Sequence, residues 1–192
     1  MCTSTGQADF QPHITISSGI PLSTPEDLQS LLSGVNLSDR PPKIVFKRVR
    51  YGTAFWTKVT IEIHKSTSLK DLAVACRAAL VPDCDQAAAE EWVEKYTTPA
   101  ESGEAGFIPH LSLVYWDEDI QRSDYDDVRV GVSGDVNDAG VALQEGRKGA
   151  DIDWEEVAVG NMDGWSGGKL VLVDTTRPVE AWKTSILAER EL

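Results

Sequence analysis

The sequence predicts a mixed α and β fold of the α+β class, on three observations. Segments that alternate apolar and polar side chains, as strands do, recur between segments that carry helix caps. The chain has 192 residues, 41% of them apolar, which is enough to bury a substantial core in one domain or in two small lobes in close contact. The predicted elements fall into two sets, and each set contains one strand with a histidine.

The first two elements are a strand and a helix. Residues 10–18 alternate apolar and polar side chains, which predicts a strand with His13 and the other polar residues on the face away from the core. A short helix follows, with Thr24 as its N-cap, Pro25 in its first turn and Gly34 past its end. The first histidine strand therefore leads into a well-capped helix.

A hairpin and two helices come next. Residues 43–50 and 55–64 predict two strands joined by a turn around Gly52. Helices are predicted over residues 69–80 and over residues 86–96, because both stretches are rich in good helix formers. These elements complete the first set.

The second half of the chain is less regular. The second histidine strand begins near residue 107 and is followed by an acidic surface stretch over residues 117–127. Five glycines between residues 128 and 150 argue against a helix there. Three strands separated by Gly and Pro are predicted after that, at residues 151–160, 167–174 and 181–189.

The charge distribution excludes some partners and leaves one question open. A net charge of −13 argues against a long nucleic acid, which would need many basic residues to neutralise its phosphates. Residues 40–70 nevertheless hold eight of the 18 basic residues and a single acid, Glu62. These basic residues form either the solvated face of two strands or a ribbon that borders a site for a small anion.

Cysteine usage and the amino terminus indicate an intracellular protein. Cys2, Cys76 and Cys84 match no metal or redox spacing, so free thiols are expected. The first ten residues lack the basic and apolar regions of a signal peptide, and no apolar stretch approaches the length of a membrane span. We therefore expect an intracellular chain without a membrane span.

A repeated motif carries the candidate chemistry. FQPHITI recurs, 97 residues later, as FIPHLSL. On a strand, residues i and i+2 point the same way, so His13 pairs with Thr15 and His110 pairs with Ser112. If the two strands meet across a pseudo-two-fold axis, two imidazoles and two hydroxyls converge.

That set of groups is suited to opening a cyclic phosphodiester with water. One imidazole would take a proton from water and the other would protonate the departing ribose oxygen. Thr15 and Ser112 would donate hydrogen bonds to the non-bridging oxygens, where negative charge grows in the transition state. The chemistry requires no cofactor or metal, and the motif spacing suggests none. The third histidine, His64, has no partner motif and is expected on the surface.

The two motifs, with GGKLVLVDTTRPVEAWK near the end of the chain, resemble the 2H phosphoesterase superfamily and, within it, the fungal 2',3'-cyclic-nucleotide 3'-phosphodiesterase branch. The resemblance covers about residues 10–187. It implies one bilobal domain over residues 1–192, in which two antiparallel sheets face a central cleft and the helices lie outside. The two lobes would be related by a pseudo-two-fold axis. Only nine residues precede Phe10, so the strand and helix that begin the family's domain are expected to be absent.

The resemblance also implies an activity. Members of the branch open ribose 2',3'-cyclic phosphates to 2'-phosphates and act on ADP-ribose 1'',2''-cyclic phosphate, a by-product of tRNA splicing. By resemblance, His110 is the base and His13 the acid, while Thr15 and Ser112 hold the phosphate. The residues alone leave the two histidines equivalent. The expected partner is a small cyclic nucleotide or ADP-ribose cyclic phosphate, bound by a monomer in the cytoplasm or at the Golgi.

Two aromatic residues are candidate substrate contacts by resemblance. Tyr115 matches a family tyrosine, but strict alternation would point it away from His110, so a bulge or a strand end near Val114 is expected. Phe55 stands where relatives place an aromatic near the nucleoside, and a core role is an equal alternative.

Two other functions remain open from the sequence. One is an enzyme for RNA ends, either a 2',3'-cyclic phosphodiesterase or a protein similar to a 2',5'-ligase. The other is a truncated homologue that binds a nucleotide without turning it over. The acidic surface disfavours long RNA, and the short amino terminus motivates the inactive homologue.

Overall fold

The fold was analysed in a computed structural model of the chain. The structure describes residues 12–21, 24–51, 59–95, 109–114, 125–144, 152–160 and 162–192. Within these ranges helices pack with antiparallel sheets, so the predicted α+β class is confirmed.

The elements are numbered in chain order. Helices α1 to α4 comprise Pro25–Gly34, Thr67–Leu80, Gln86–Lys95 and Tyr125–Asp138. Strands β1 to β6 comprise Lys43–Tyr51, Val59–Lys65, His110–Val114, Gly164–Ser166, Lys169–Val173 and Ile186–Glu191. A 3-10 helix, Val179–Thr184, lies between β5 and β6.

Two antiparallel sheets organise the described part of the chain. The larger has the order β3-β2-β1-β4, and the smaller pairs β5 with β6. The predicted hairpin is confirmed as the β1–β2 pair. Its register shifts between Phe46 and Arg48, so Lys47 is an extra residue on β1. This bulge determines which side chains of β1 share a face with the polar side chains of β2.

The predicted helix starts are confirmed by their caps. The Thr24 hydroxyl accepts a hydrogen bond from the Asp27 backbone N–H at 3.3 Å. The Ser66 hydroxyl accepts one from Leu69 N–H at 3.2 Å and donates to the Lys43 carbonyl at 2.7 Å. Ser66 therefore caps α2 and also ties its first turn to the start of β1.

The core has separate centres around the two sheets. One cluster joins α1 and α2 to the β5–β6 sheet, with Leu32 fully buried at its centre. A second lies on one face of the four-stranded sheet, where Leu69 of α2 packs against Ile44 and Ile63. Helix α3 packs on α2 through Ala89 and Val93. Each sheet therefore buries its own apolar face, and α2 contributes to both clusters.

Helix α4 forms despite the glycines that weaken a helix prediction after residue 128. It continues through Gly131 and Gly134, and both positions have open space where a Cβ would lie. An exposed glycine costs a helix only about 1 kcal/mol. Asp126 and Asp127 lie in the first turn, where negative charge favours the helix. The local glycine penalty is therefore smaller than the sequence pattern suggested.

Two further predictions are corrected near the end of the chain. Residues 152–160 form turns and not a strand, and a short strand follows instead as β4. Gly164 makes that pairing possible, because a Cβ there would lie 1.9 Å from the Ile44 carbonyl oxygen. The predicted strand over residues 181–189 begins as the 3-10 helix and becomes extended only from Ile186.

The thiols behave as expected where the structure describes them. Cys76 and Cys84 are both unbridged. Burial raises the pKa of the Cys76 thiol to about 12, which makes it a poor nucleophile. Cys2 lies outside the described residues. None of the helices in the described ranges is long and apolar enough to cross a bilayer.

Candidate active site

The two histidine motifs lie side by side in the structure. Ile14 forms an antiparallel bridge with Leu111 of β3. The first motif therefore lies next to β3, on the side away from β2. Of the strand predicted over residues 10–18, the described part shows this single bridge and no longer ladder.

The bridge sets which residues of the two motifs are opposite each other. In the antiparallel register His13 is opposite Ser112, and Thr15 is opposite His110. Side chains opposite each other have Cβ atoms about 4.5–5.5 Å apart, and diagonal neighbours such as the two histidines about 7–8 Å. The two motifs therefore occupy corresponding positions on either side of the bridge.

The alternate residues show which way these side chains point. Ile14, Ile16, Leu111 and Leu113 all pack against the core cluster of the four-stranded sheet. Since successive side chains on a strand point to opposite faces, the imidazoles and hydroxyls of both motifs share the other face. Ser112 is buried and His110 half-buried on that face.

The same face continues across β2 and β1 as two rows of side chains. The β1–β2 and β2–β3 registers place Glu62 opposite His110, and Thr60 opposite Ser112. Both rows reach β1, where each ends at an arginine. The first row contains Arg48, Glu62, His110 and Thr15, and the second contains Arg50, Thr60, Ser112 and His13.

Glu62 is a buried carboxylate that the sequence reading placed on a solvated face. It accepts hydrogen bonds from Lys47 Nζ and, at 2.7 Å, from Arg48 Nε. Burial alone would raise the pKa of its carboxyl, but these two bonds and the charges behind them lower the pKa below its usual value. Glu62 is therefore ionised at neutral pH, and the cluster of Lys47, Arg48 and Glu62 has a net charge of +1.

His64 corrects the expectation of a surface histidine. Its ring is 8% exposed and stacks on Trp154, with centroids 3.4 Å apart and an interplanar angle of 15°. Burial, and secondly the charge of Lys47, lower its pKa to about 4. Its Nε2 has no hydrogen-bond partner among the described residues. His64 is thus neutral at physiological pH and serves in packing. It is buried because Trp154, which lies 90 positions later in the chain, stacks on its ring.

Trp182 contacts the candidate site, and the sequence reading did not identify it. Its ring meets the His13 imidazole edge to face, with centroids 5.6 Å apart and an angle of 61°. The indole Nε1 donates to the Arg177 carbonyl at 2.9 Å, which holds the ring in place. The residue lies within the GGKLVLVDTTRPVEAWK stretch that resembles the family, so that stretch contained the signal.

The two aromatic candidates, Phe55 and Tyr115, lie outside the described residues. Nothing in the structure bears on Phe55 or Tyr115 themselves. The register between β2 and β3 does shift between Val59 and Thr60, close to the end of β3 at Val114. A strand irregularity of the kind that the Tyr115 assignment requires is therefore present near this position.

The described residues contain no cluster of three or more His, Cys, Asp or Glu side chains that could hold a metal ion. The carboxylate in the same row as His110 is Glu62, which is already bound by Lys47 and Arg48.

Comparisons with known proteins identify the family of the chain. The sequence profile of a family described as "Cyclic phosphodiesterase-like protein" matches residues 3–192. A 2',3'-cyclic-nucleotide 3'-phosphodiesterase of Phaeosphaeria nodorum is 30% identical over 187 residues, covering 95% of this chain and 81% of its own length. A relative of the same name from Neurospora crassa is 30% identical over 181 residues, covering 91% of this chain and 74% of its own. One from Yarrowia lipolytica is 27% identical, covering 91% and 81%.

Proposed function

The chain belongs to the cyclic phosphodiesterase-like family, which confirms the resemblance found in the sequence, and on that premise we propose that it hydrolyses ribose 2',3'-cyclic phosphates to 2'-phosphates. The observation that carries the proposal is the bridge between Ile14 and Leu111. It brings two imidazoles and two hydroxyls to one face, where a single phosphate can contact them all. The names of the relatives indicate the same reaction for those proteins.

In the proposed mechanism the two histidines act on opposite sides of phosphorus. His110, as a neutral base, takes a proton from water while the water oxygen forms a bond to phosphorus. The bond from phosphorus to the ribose 3'-oxygen breaks, and the His13 imidazolium gives that oxygen a proton. One water is consumed, the product is a 2'-phosphate, and exchange of protons with solvent restores both rings. The histidines take these roles from the family resemblance.

The hydroxyls of Thr15 and Ser112 bind the phosphate in this mechanism. Each donates to a non-bridging oxygen, whose negative charge increases as phosphorus becomes five-coordinate. Ser112 lies opposite His13, and Thr15 lies opposite His110. Every imidazole therefore has a phosphate-binding hydroxyl directly across from it as well as one on its own strand.

We also propose that residues 1–192 form one bilobal domain around this site. The four-stranded sheet with the histidine motifs and the β5–β6 sheet with α1 have separate core clusters, which supports two lobes. Trp182 follows β5 and contacts His13, so the second sheet reaches the site through the 3-10 helix. Tyr115 and Phe55 would contribute substrate contacts.

A metal-free assay tests the function. We expect the purified chain to open 2',3'-cyclic AMP in the presence of EDTA, to give 2'-AMP and not 3'-AMP, with a bell-shaped dependence of kcat/KM on pH. ADP-ribose 1'',2''-cyclic phosphate should be opened to ADP-ribose 1''-phosphate in the same buffer. Dependence on an added divalent metal, a 3'-phosphate product, or no turnover of either substrate would contradict the proposal.

A further inference from the structure

The basic residues of β1 end the two rows of side chains that contain the histidine motifs. From the sequence they form either a solvated face or the border of a site for a small anion. We propose that Arg48 and Arg50 form a second anion subsite, which binds a phosphate of the substrate other than the cyclic one. The inference rests on the proposed function and assigns two residues to the binding of a phosphate beyond the cyclic one.

The strand registers place both arginines on the catalytic face. Arg48 is opposite Glu62, which is opposite His110, and side chains directly opposite each other project from the same face of a sheet. Arg50 is in the same way aligned with Thr60 and Ser112. Each arginine is two strands from the motif on β3, about 10 Å between backbones. An extended arginine side chain covers much of that distance.

The charge on this part of the face suits an anion. Glu62 neutralises only one of the two cations that bind it. Arg50 adds a further positive charge, is exposed, and forms no ion pair within the described ranges. In a molecule with a net charge of −13, the described side chains of these two rows thus carry an excess of positive charge beside the histidine motifs. Such an excess attracts a small anion and raises its local concentration.

The geometry of the two side chains favours phosphate. Arg48 and Arg50 are two residues apart on one strand, so their Cα atoms are about 6.5 Å apart on the same face. Arg48 donates its Nε to Glu62, which orients the guanidinium group, and its terminal nitrogens contact no acid among the described residues. The guanidinium fork matches phosphate oxygens in pairs, in a way that the Lys ammonium does not.

Binding of two product analogues tests the subsite independently of turnover. Calorimetry will compare adenosine 2'-phosphate with adenosine 2',5'-bisphosphate, which differ by one phosphate. We expect the wild type to bind the bisphosphate roughly tenfold more tightly, by a margin that shrinks at high salt. In Arg50→Ala the preference should be largely lost, because only Arg48 remains in the subsite, and in Arg50→Lys the preference should be intermediate.

Lys70→Ala provides the matched control. Lys70 is a partly exposed basic residue of α2, paired with Glu94 and absent from the two rows, so its removal should leave the preference intact. Equal affinities in the wild type, or a preference of undiminished size in Arg50→Ala, would overturn the inference. If the preference is present but 2',3'-cyclic AMP is not hydrolysed, the proposed function fails while the subsite stands.

Discussion

Replacing either His13 or His110 with alanine is expected to lower kcat/KM for 2',3'-cyclic AMP by about 10²–10⁴-fold. Each variant removes one proton-transfer group, and general acid or base catalysis contributes about that factor. In the proposed mechanism the two rings have different roles on one phosphate, so neither can substitute for the other. Initial rates over a range of substrate concentrations, with product identified by chromatography, measure the effect.

The double variant and a neighbouring substitution serve as controls. If the two histidines act as a unit, the His13→Ala/His110→Ala protein should be no slower than the slower single variant, because residues that act together are not additive. Ser18→Ala changes an exposed residue of the same segment and should keep wild-type activity. A single histidine variant that retains most of the activity, with an unchanged circular dichroism spectrum, would refute the mechanism.

Replacing both Lys47 and Arg48 with methionine is expected to lower the free energy of unfolding at pH 7 by about 3 kcal/mol. The double change leaves the Glu62 carboxylate buried without a cation, and removing the partners of a buried charge costs about 3–5 kcal/mol. The lower end of that range applies because Lys47 and Arg48 are themselves partly exposed. Urea unfolding followed by fluorescence measures the difference.

The pH dependence of that loss identifies its cause. In the wild type the folded-state pKa of Glu62 is lowered, so its ion pairs stabilise the fold above the unfolded pKa near 4.5, and the stabilisation is lost as pH falls through the folded pKa. In the double variant burial favours the protonated carboxyl, so acid relieves the penalty. The stability gap between the two proteins should therefore narrow from pH 7 to pH 4.

A matched third substitution completes the test. Adding Glu62→Gln to the double variant removes the buried charge and keeps the shape, so most of the lost stability at pH 7 should return. A gap that stays constant with pH, or a triple variant no more stable than the double, would show that packing of the two long side chains and not charge explains the loss.

The local elements were predictable because their signals lie within a few residues. Thr24 and Pro25 mark the start of α1, and the alternating side chains of β1 and β2 give the hairpin. The pairing of imidazole with hydroxyl in each motif also follows from the two-residue period of a strand. The repetition of the motif indicated that the two copies work together, and the bridge at Ile14 agrees with that prediction.

The features that could not be predicted from the sequence depend on contacts between residues that are distant in the chain. His64 and Glu62 have the alternation of a solvated face, but both are buried. His64 stacks on Trp154, and Glu62 is bound by Lys47 and Arg48 at the β1 bulge. The stretch over residues 152–160 has the composition of a strand, yet its Glu155 carboxylate instead accepts from the backbone N–H and hydroxyl of Ser68, in the first turn of α2. The contacts of His64 with Trp154 and of Ser68 with Glu155 join residues more than 80 positions apart, and no local pattern encodes them.

The central claim, that His13 and His110 contact one phosphate, is tested most directly by NMR of the three histidine rings during a titration with adenosine 2'-phosphate. The account predicts that the signals of His13 and His110 shift together and saturate at a single Kd. The His64 signal, from a neutral ring stacked on Trp154 with a pKa of about 4, should stay in place at pH 7. If the ligand moves only one of the two motif histidines, or moves them with different dissociation constants, the claim is contradicted.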